Sequence, residues 1–476
     1  MPSAFEEHLT WPAGRGHEPA GGHAGAAGGA ACGDLVRIVV SVEGQRVADA
    51  GFDAEGCGAA VAAASAAVAL VRGATVMQAA RVGTHRIAAE LGGLSPGKIH
   101  AAALAADALA RALGEAVRRD AAPSPDAVHR VLVAMSGGVD SAVAALLLAR
   151  EGREVAAVTL ELWADPDNDA ERSCCSASAV RQARAVAHGL GLAHFTLDLR
   201  AEFRAGVVEP FLAGHAAGET PNPCVRCNGH VRLDEMLAFA DRLGAGELAT
   251  GHYARVTRDA GGPLLRTAAD PAKDQTYMLA ALAPASLARM RFPLGAMTKP
   301  EVRRVAHEAG LAVAGKPDSQ DLCFLAGTAR GAFLARHGSV DPGPGEIVDR
   351  GGRVLGGHRG HHAFTVGQRR GIGVGGAGRP LYVLSTDARR NRVVVGERAA
   401  LATTRVPLRG VRLHRDAAVV DRVKLRYRSA PVAATLAGGA LELAEPVLGA
   451  APGQAACLMA GETILGWATI AAPTPA

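Results

Sequence analysis

A chain of 476 residues exceeds what one compact core organises, so two to four domains are expected. Its 49% hydrophobic and 20% charged residues, with a mean hydropathy of +0.13, exclude a chain disordered over most of its length. The net charge of +5 is concentrated between Arg336 and Arg428, where 19 Lys/Arg face 7 Asp/Glu, against 10 facing 12 over residues 1 to 122; a polyanion would favour the C-terminal part, although an Arg-rich, lysine-poor composition alone produces such an excess.

Residues 1 to about 30 are rich in Gly, Ala, His and Pro without periodicity and read as a flexible leader. No basic stretch followed by an apolar one marks an export signal, and no apolar run suits a bilayer, so a soluble, cytoplasmic protein with no membrane partner is expected. Its eight cysteines are too few for a disulfide scaffold and are read for metal or thiol chemistry. Leu35 to Phe52 alternate as two strands about a turn at Glu43-Gly44, and Ala-rich helices follow over 59–72 and 99–119. AAPSPDA, residues 121–127, places two prolines before a new apolar strand. That boundary predicts two separate cores, so that residues 1–122 could be removed without unfolding the rest.

Beyond it strands and helices alternate: VLVAM, a helix from Ser141, EVAAVTLELW, a helix from Ser176, HFTLDL, helices around Phe203 and Val231, then ELATG. This pattern predicts a doubly wound parallel sheet with ligands at its C-terminal edge. After about Ala335 the chain turns Gly-rich with short strands, and from about Val406 strands separated by turns predict a small β-barrel. The expected fold class is multidomain α/β: an N-terminal α+β domain over 25–120, the doubly wound domain over 128–335, a small central domain over 336–400 and a C-terminal β-barrel over 401–476. No fixed-period repeat is present.

Ser136-Gly137-Gly138-Val139-Asp140-Ser141 falls between a buried strand and an amphipathic helix. Successive backbone N–H groups there can converge on a phosphate, and the helix N-terminus favours negative charge. The lysine of a Walker loop is missing. A glycine-rich turn capped by Ser and Asp stays open from these residues alone. The loop resembles that of the N-type ATP pyrophosphatases. That resemblance implies ATP and Mg2+, a nucleotide-binding run of Ala134, Met135, Ser136, Gly137, Gly138, Val139, Asp140 and Ser141, phosphate contacts from Ser136 and Ser141, and Asp140 positioning magnesium and nucleotide.

Thr220-Pro221-Asn222-Pro223-Cys224-Val225-Arg226-Cys227-Asn228 is a proline-braced turn with two thiols near a helix start, where the dipole and Arg226 favour thiolate. Asp318 to Phe324 brings a third, Cys323, in a polar loop. The ordered segments MSGGVDS, TPNPCVRCN, ATGHYAR, KDQTYML, FPLG, KPDSQDLCF, FTVGQRRGIG, KLRYR and PGQ make the chain from Val131 onward similar to the tRNA-specific 2-thiouridylases. This resemblance implies ATP-dependent 2-thiolation of the wobble uridine: adenylation of its C2 oxygen, sulfur delivery from a Cys323 persulfide, and a Cys227 to Cys323 disulfide left for reduction. Catalytic roles fall on Cys227, Cys323 and Asp140, and nucleotide contacts on Leu160 and Gly251. Asn222, Pro223 and Cys224 fall at the target base, and His252, Lys273, Asp274, Gln275, Arg426, Tyr427 and Gln454 at the tRNA. The implied partners are tRNA and a persulfide donor, either a cysteine desulfurase or a relay protein.

Other readings of the same residues stand beside these. An adenylating synthetase acting on a small molecule, or an iron–sulfur carrier with a vestigial ATP loop, would use the same first loop. Cys224, Cys227 and Cys323 could hold an iron–sulfur cluster. Cys174-Cys175 read as a loop near the ATP site, as a redox relay or as an additional sulfur carrier, His252 as a strand-end core histidine, Cys457 as a buried hydrophobe, and His358, His361 and His362 as a Gly/Arg loop with a superficial likeness to a metal cluster.

Ala31-Cys32-Gly33-Asp34, Glu55-Gly56-Cys57-Gly58 and Leu94 to Ala101 make residues 25 to 118 similar to the iron–sulfur cluster assembly scaffold family. Cys32, Asp34, Cys57 and His100 form a Cys₂/Asp/His set compatible with Zn2+ or a labile iron–sulfur cluster. The family's third cysteine, expected to receive sulfur, is Ala101 here. A degenerate scaffold kept as a docking surface for the sulfur donor, a zinc site and a transferable cluster are the three readings.

Overall fold

The computed structural model describes residues 2–28, 33–124, 129–165, 176–318, 322–325, 327–338, 343–374 and 379–473. Structure begins almost at the N-terminus, which overturns the flexible leader. Ser3 and Glu6 form a reciprocal capping box that opens a helix over Ala4–Thr10. Strand β1 (His23–Gly28) pairs along its length with β2 (Leu35–Glu43), itself antiparallel to β3 (Arg46–Glu55). The small residues of β1 serve close packing: a Cβ on Gly25 would lie 2.1 Å from the Ala108 carbonyl. The turn at Gly44 and the two expected helices, Gly58–Val71 and Ile99–Asp120, are present.

The second domain carries β4 (Arg130–Ala134), β5 (Glu154–Glu161), β6 (Ala193–Asp198), β7 (Glu247–Thr250), a hairpin of β8 (Arg255–Asp259) and β9 (Gly262–Arg266), and the short β10 (Met290–Arg291). Five of these form a parallel sheet in the order β10-β7-β4-β5-β6. Chain order reverses between β4 and β7, so a crevice opens beyond their C-terminal ends, at Ala134 and Thr250.

A small antiparallel and parallel sheet follows, β11 (Gly345–Val348), β12 (Val354–His358), β13 (Tyr382–Asp387) and β14 (Arg392–Gly396), around Ile347, Val383, Val393 and Val395. The last strands are β15 (Ala402–Leu413), β16 (Arg422–Lys424), β17 (Val432–Ala437), β18 (Ala440–Leu448), β19 (Ala455–Ala460) and β20 (Thr463–Ile470). The long β15 pairs with β18 through its first half and with β20 through its second, which closes a six-stranded barrel. The hairpin β8–β9 extends the barrel sheet: Ile464 of β20 faces Leu265 of β9.

The two cores expected on either side of residues 121–127 are one. Helix Ile99–Asp120 buries 13 of its 22 residues, with β1 and β2 on one side and β6 on the other. Phe52, Leu109, Leu113, Leu132, Phe195 and Leu237 belong to a single apolar cluster. A Cβ on Gly114 would lie 2.0 Å from the Thr196 carbonyl, so helix and sheet touch backbone to backbone. Among the described residues no helix is long and apolar enough to cross a membrane.

Candidate active site

Beyond the end of β4 the chain turns at Gly137, φ +68°, and enters helix Val139–Arg150 at Gly138. Glycine is required at 137 by its left-handed backbone and because a Cβ would lie 2.6 Å from the Ala179 carbonyl. Ser141 Oγ accepts from the Ser136 amide at 3.2 Å and donates to the Gly138 carbonyl at 3.2 Å, folding the loop over the helix start. The loop forms one wall of a cavity of about 1040 Å³. Leu160 at the end of β5, and Thr250, Gly251 and His252 beyond β7, complete that side. The opposite side is the barrel, through Arg422, Lys424, Tyr427 and Arg428.

A cluster of charge surrounds the loop that the sequence did not reveal. Lys299 is buried and its Nζ donates to both oxygens of Asp140, at 2.7 and 2.8 Å, and to Asp318 at 2.8 Å. Tyr253 OH donates to Asp140 at 2.9 Å. Asp318 also accepts from Lys273 at 2.8 Å and Arg303 at 3.0 Å. Burial raises the Asp318 pKa, but the hydrogen bonds and charges of Lys273 and Lys299 outweigh it and hold it at about 2. Lys316 Nζ reaches the Gly137 carbonyl at 2.9 Å, bracing the loop from outside. Burial, and then the charge of Arg232, push the His252 imidazole down to about 3, so it is neutral; its Nδ1 lies 2.8 Å from Thr250 Oγ1.

Four of the chain's five lysines therefore stand at this cavity or bond its lining: Lys273, Lys316 and Lys424 directly, Lys299 through Asp140. An Arg-dominated chain keeps lysine where a compact ammonium is needed, and that rarity is the signal by which Lys299 and Lys316 could have been found.

The thiols lie next to this cavity without lining it. Asn222 Oδ1 accepts from the Cys224 and Val225 amides at 3.1 and 3.2 Å and so caps a helical run from Pro223. That run passes through a π-helical stretch, Asn228–Arg232, and continues to Arg242; its Arg232 and Met236 reach the cavity. Cys224 is half-buried and Cys227 only 7% exposed. Cys323 packs against the same apolar cluster that contains Cys227. Its neighbour Phe324 is fixed among Trp163, Phe203, Phe211 and Phe333, with ring centroids 5.1 to 6.5 Å apart.

Residues assigned by resemblance to tRNA contact divide. Lys273, Gln275 and Tyr427 line the cavity with His252. Asp274 lines it too, but its carboxylate is buried and spent: it accepts from Lys424 at 3.1 Å, the Ala268 amide at 3.1 Å and Thr276 Oγ1. Its pairing with Lys424 ties the parallel-sheet domain to the barrel. Gln454 donates to the Thr220 carbonyl at 2.7 Å, tying the Pro221–Pro223 turn to the barrel, and Arg426 donates to the Leu448 carbonyl at 2.8 Å.

In the N-terminal domain the Cys57 amide donates to Asp34 Oδ1 at 2.8 Å and its thiol to Oδ2 at 3.2 Å; His100 Nε2 lies 3.3 Å from the same Oδ2. Among the described residues this is the one group of three or more such donors gathered within 4.8 Å of one another, the spacing that suits a single ion; Cys224, Cys227 and Cys323 as a set are not that close. Ala101 is fully buried. Cys32, Cys174 and Cys175 lie outside the described residues. His361 is held by Asn391 and the Ala216 carbonyl, each at 3.2 Å, and Cys457 is a buried thiol whose pKa burial raises.

Comparison with known proteins follows this division of the chain. Residues 5–122 match the NifU-like N terminal domain, 129–327 the tRNA methyl transferase HUP domain, 331–397 the tRNA methyl transferase PRC-barrel domain and 412–470 the aminomethyltransferase beta-barrel domain. The chain is 46% identical over 465 residues, 94% of either chain, to the bifunctional protein NifU/MnmA of Rubrobacter xylanophilus. It is 46% identical over 361 residues, 75% of this chain and 95% of the relative, to the tRNA-specific 2-thiouridylase MnmA of Rhizorhabdus wittichii. A solved NifU-like protein (N-terminal) from Brucella abortus matches 22% of this chain and 75% of its own at 22% identity, with a TM-score of 0.16.

Proposed function

Because the chain belongs to the tRNA-specific 2-thiouridylase MnmA family, in the bifunctional form that carries a NifU-like domain, we propose that it is an ATP-dependent tRNA-uridine 2-sulfurtransferase acting in the cytoplasm. The observation that carries this reading is the cavity itself: a phosphate loop on one side, a basic barrel face on the other, and room for more than a nucleotide. The thiol-bearing helix and the Cys323 segment each send a residue into it, Arg232 and Asp318.

In the proposed reaction the wobble uridine's C2 oxygen attacks the α-phosphorus of ATP. Pyrophosphate leaves and C2 carries AMP as a leaving group. The loop amides and Lys316 stabilise the phosphate charge, Lys299 holds the Asp140 carboxylate in place, and neutral His252 offers a hydrogen bond without adding charge. Asp140, facing the cavity, is the hard oxygen donor suited to magnesium, which supplies charge neutralisation when bound. The outer sulfur of a Cys323 persulfide then bonds to C2 as AMP departs. Cys227 thiolate attacks the inner sulfur, the S–S bond to the transferred atom breaks, and a Cys227–Cys323 disulfide remains for an external dithiol to reduce. A cysteine desulfurase or relay protein supplies the persulfide. Asp34, Cys57 and His100 fit three positions of a zinc or labile cluster site in donor type, and with Ala101 in place of the sulfur-receiving cysteine they serve metal holding or donor docking rather than sulfur relay.

Incubation of the protein with tRNA, ATP, magnesium and a persulfide source, followed by nucleoside mass spectrometry, should yield 2-thiouridine. Its absence would overturn the reading. Asp140→Asn should cut tRNA-dependent pyrophosphate release at least a hundredfold, and undiminished release would remove the loop from the chemistry.

Gly251→Ala is expected to weaken ATP binding at least tenfold in calorimetry. Its Cβ would sit 2.6 Å from the Ser141 amide nitrogen and 2.7 Å from the Asp140 carbonyl carbon, so the loop must shift. Wild-type affinity would show that the loop's position is immaterial.

A further inference from the structure

Two ion pairs run from the NifU-like domain into the walls of the nucleotide cavity. Arg111, on helix Ile99–Asp120, donates to Glu161 from Nε at 3.1 and 3.2 Å and from Nη2 at 2.6 Å. One turn earlier Asp107 pairs with Arg184 at 2.5 Å and with Arg111 at 2.9 Å. The side chains are shielded from solvent: Asp107 and Arg184 are 4% exposed, Glu161 15% and Arg111 19%.

What these pairs hold sets them apart from ordinary interface contacts. Glu161 ends β5, between Leu160 and Leu162, both of which line the cavity. Arg184 is on helix Ala177–Gly189, whose first turn contributes Ser178 and Ala179 to the cavity and whose Ala179 carbonyl presses on Gly137 of the phosphate loop. Both walls flanking the loop are thus gripped from behind by one helix of another domain.

We propose that Arg111 and Asp107 are positioning residues for ATP, fixing the end of β5 and the loop-facing helix so that the cavity is formed before the nucleotide arrives. The NifU-like domain is then part of the nucleotide-binding unit, independently of any metal or sulfur it carries. The proposal rests on the ATP reading of the cavity. Its physical basis is preorganisation: a carboxylate left unpaired in a shielded site turns toward water and takes its strand end with it, and ATP must supply the energy to restore the wall.

The test measures ATP affinity of the full chain by calorimetry, and KM and kcat by tRNA-dependent pyrophosphate release with a small-molecule persulfide source. Arg111→Ala should weaken ATP binding and raise its KM about tenfold, roughly 1.4 kcal/mol, with kcat and the KM for tRNA within twofold. Arg111→Lys, which keeps the charge without the fork, should recover part of the loss. Arg119→Ala, on the exposed side of the same helix, should leave all values unchanged. A folded Arg111→Ala protein whose ATP affinity stays within twofold of wild type overturns the proposal, whatever its melting temperature. If that variant does not fold, Glu161→Gln, neutral and of the same size, decides in the same way. Failure of the adenylation reading would look different: wild type would release no pyrophosphate with tRNA, while the calorimetric comparison would still settle the role of Arg111.

Discussion

Cys323→Ser is expected to abolish 2-thiouridine formation, by at least a thousandfold, while tRNA-dependent pyrophosphate release stays within about threefold of wild type. A hydroxyl cannot carry a sulfane sulfur, so delivery stops outright. Activation, by contrast, takes place in a cavity whose lining includes Asp318 from this segment but not the thiol itself. The segment is anchored by Phe324, 1% exposed within its aromatic cage, and Ser keeps the size and shape of the side chain beside it. Exchange of sulfur for oxygen therefore separates the two half-reactions. Nucleoside mass spectrometry reads one and pyrophosphate release the other; thiolation by the variant would remove Cys323 from the mechanism.

Removal of residues 1–122 is expected to leave no folded enzyme, the reverse of what the proline-rich boundary suggests. The cut strips Leu109, Leu113 and Val117 from the cluster shared with Phe195, Leu197 and Leu237. It also leaves Arg184 and Glu161 without Asp107 and Arg111. Stranding a buried charge costs about 3–5 kcal/mol, against a typical total stability of about 5–15 kcal/mol. Expression of the truncated chain should give insoluble protein, or protein without a cooperative thermal transition. A truncated chain that melts cooperatively within a few degrees of the full protein would show that the shared cluster is dispensable.

What could be read in advance follows from how local each feature is. The phosphate loop is specified by six consecutive residues, and the doubly wound sheet by alternation that needs no distant partner. Lys299 escaped notice because its partner Asp140 lies 159 residues away, and Lys316 because its contact on Gly137 is 179 residues away. The first helix and β1 were hidden by composition: Gly and Ala there read as looseness until Gly25 is seen pressed on helix Ile99–Asp120. Asp274 sits in a polar run that looks exposed, and only the fold brings Lys424 to bury it. The separation into two cores failed for a related reason, since nothing in a helix's sequence tells how many neighbours share it.

The β20 strand has a consequence for how the molecule comes into being. It is the last of the described strands in chain order, yet it joins β15 and β19 and reaches back to β9, with Ile464 facing Leu265. During synthesis from the N-terminus, everything up to the barrel leaves the ribosome before the strand that seals it. Until then the edges of β9, β15 and β19 are unpaired and the far wall of the cavity has no anchor. A nascent chain halted before Thr463 would hold a phosphate loop with no chamber around it, and three bare strand edges open to other chains. Competence for chemistry thus arrives all at once, when β20 docks, and termination just before Thr463 should be as damaging as termination within the parallel-sheet domain.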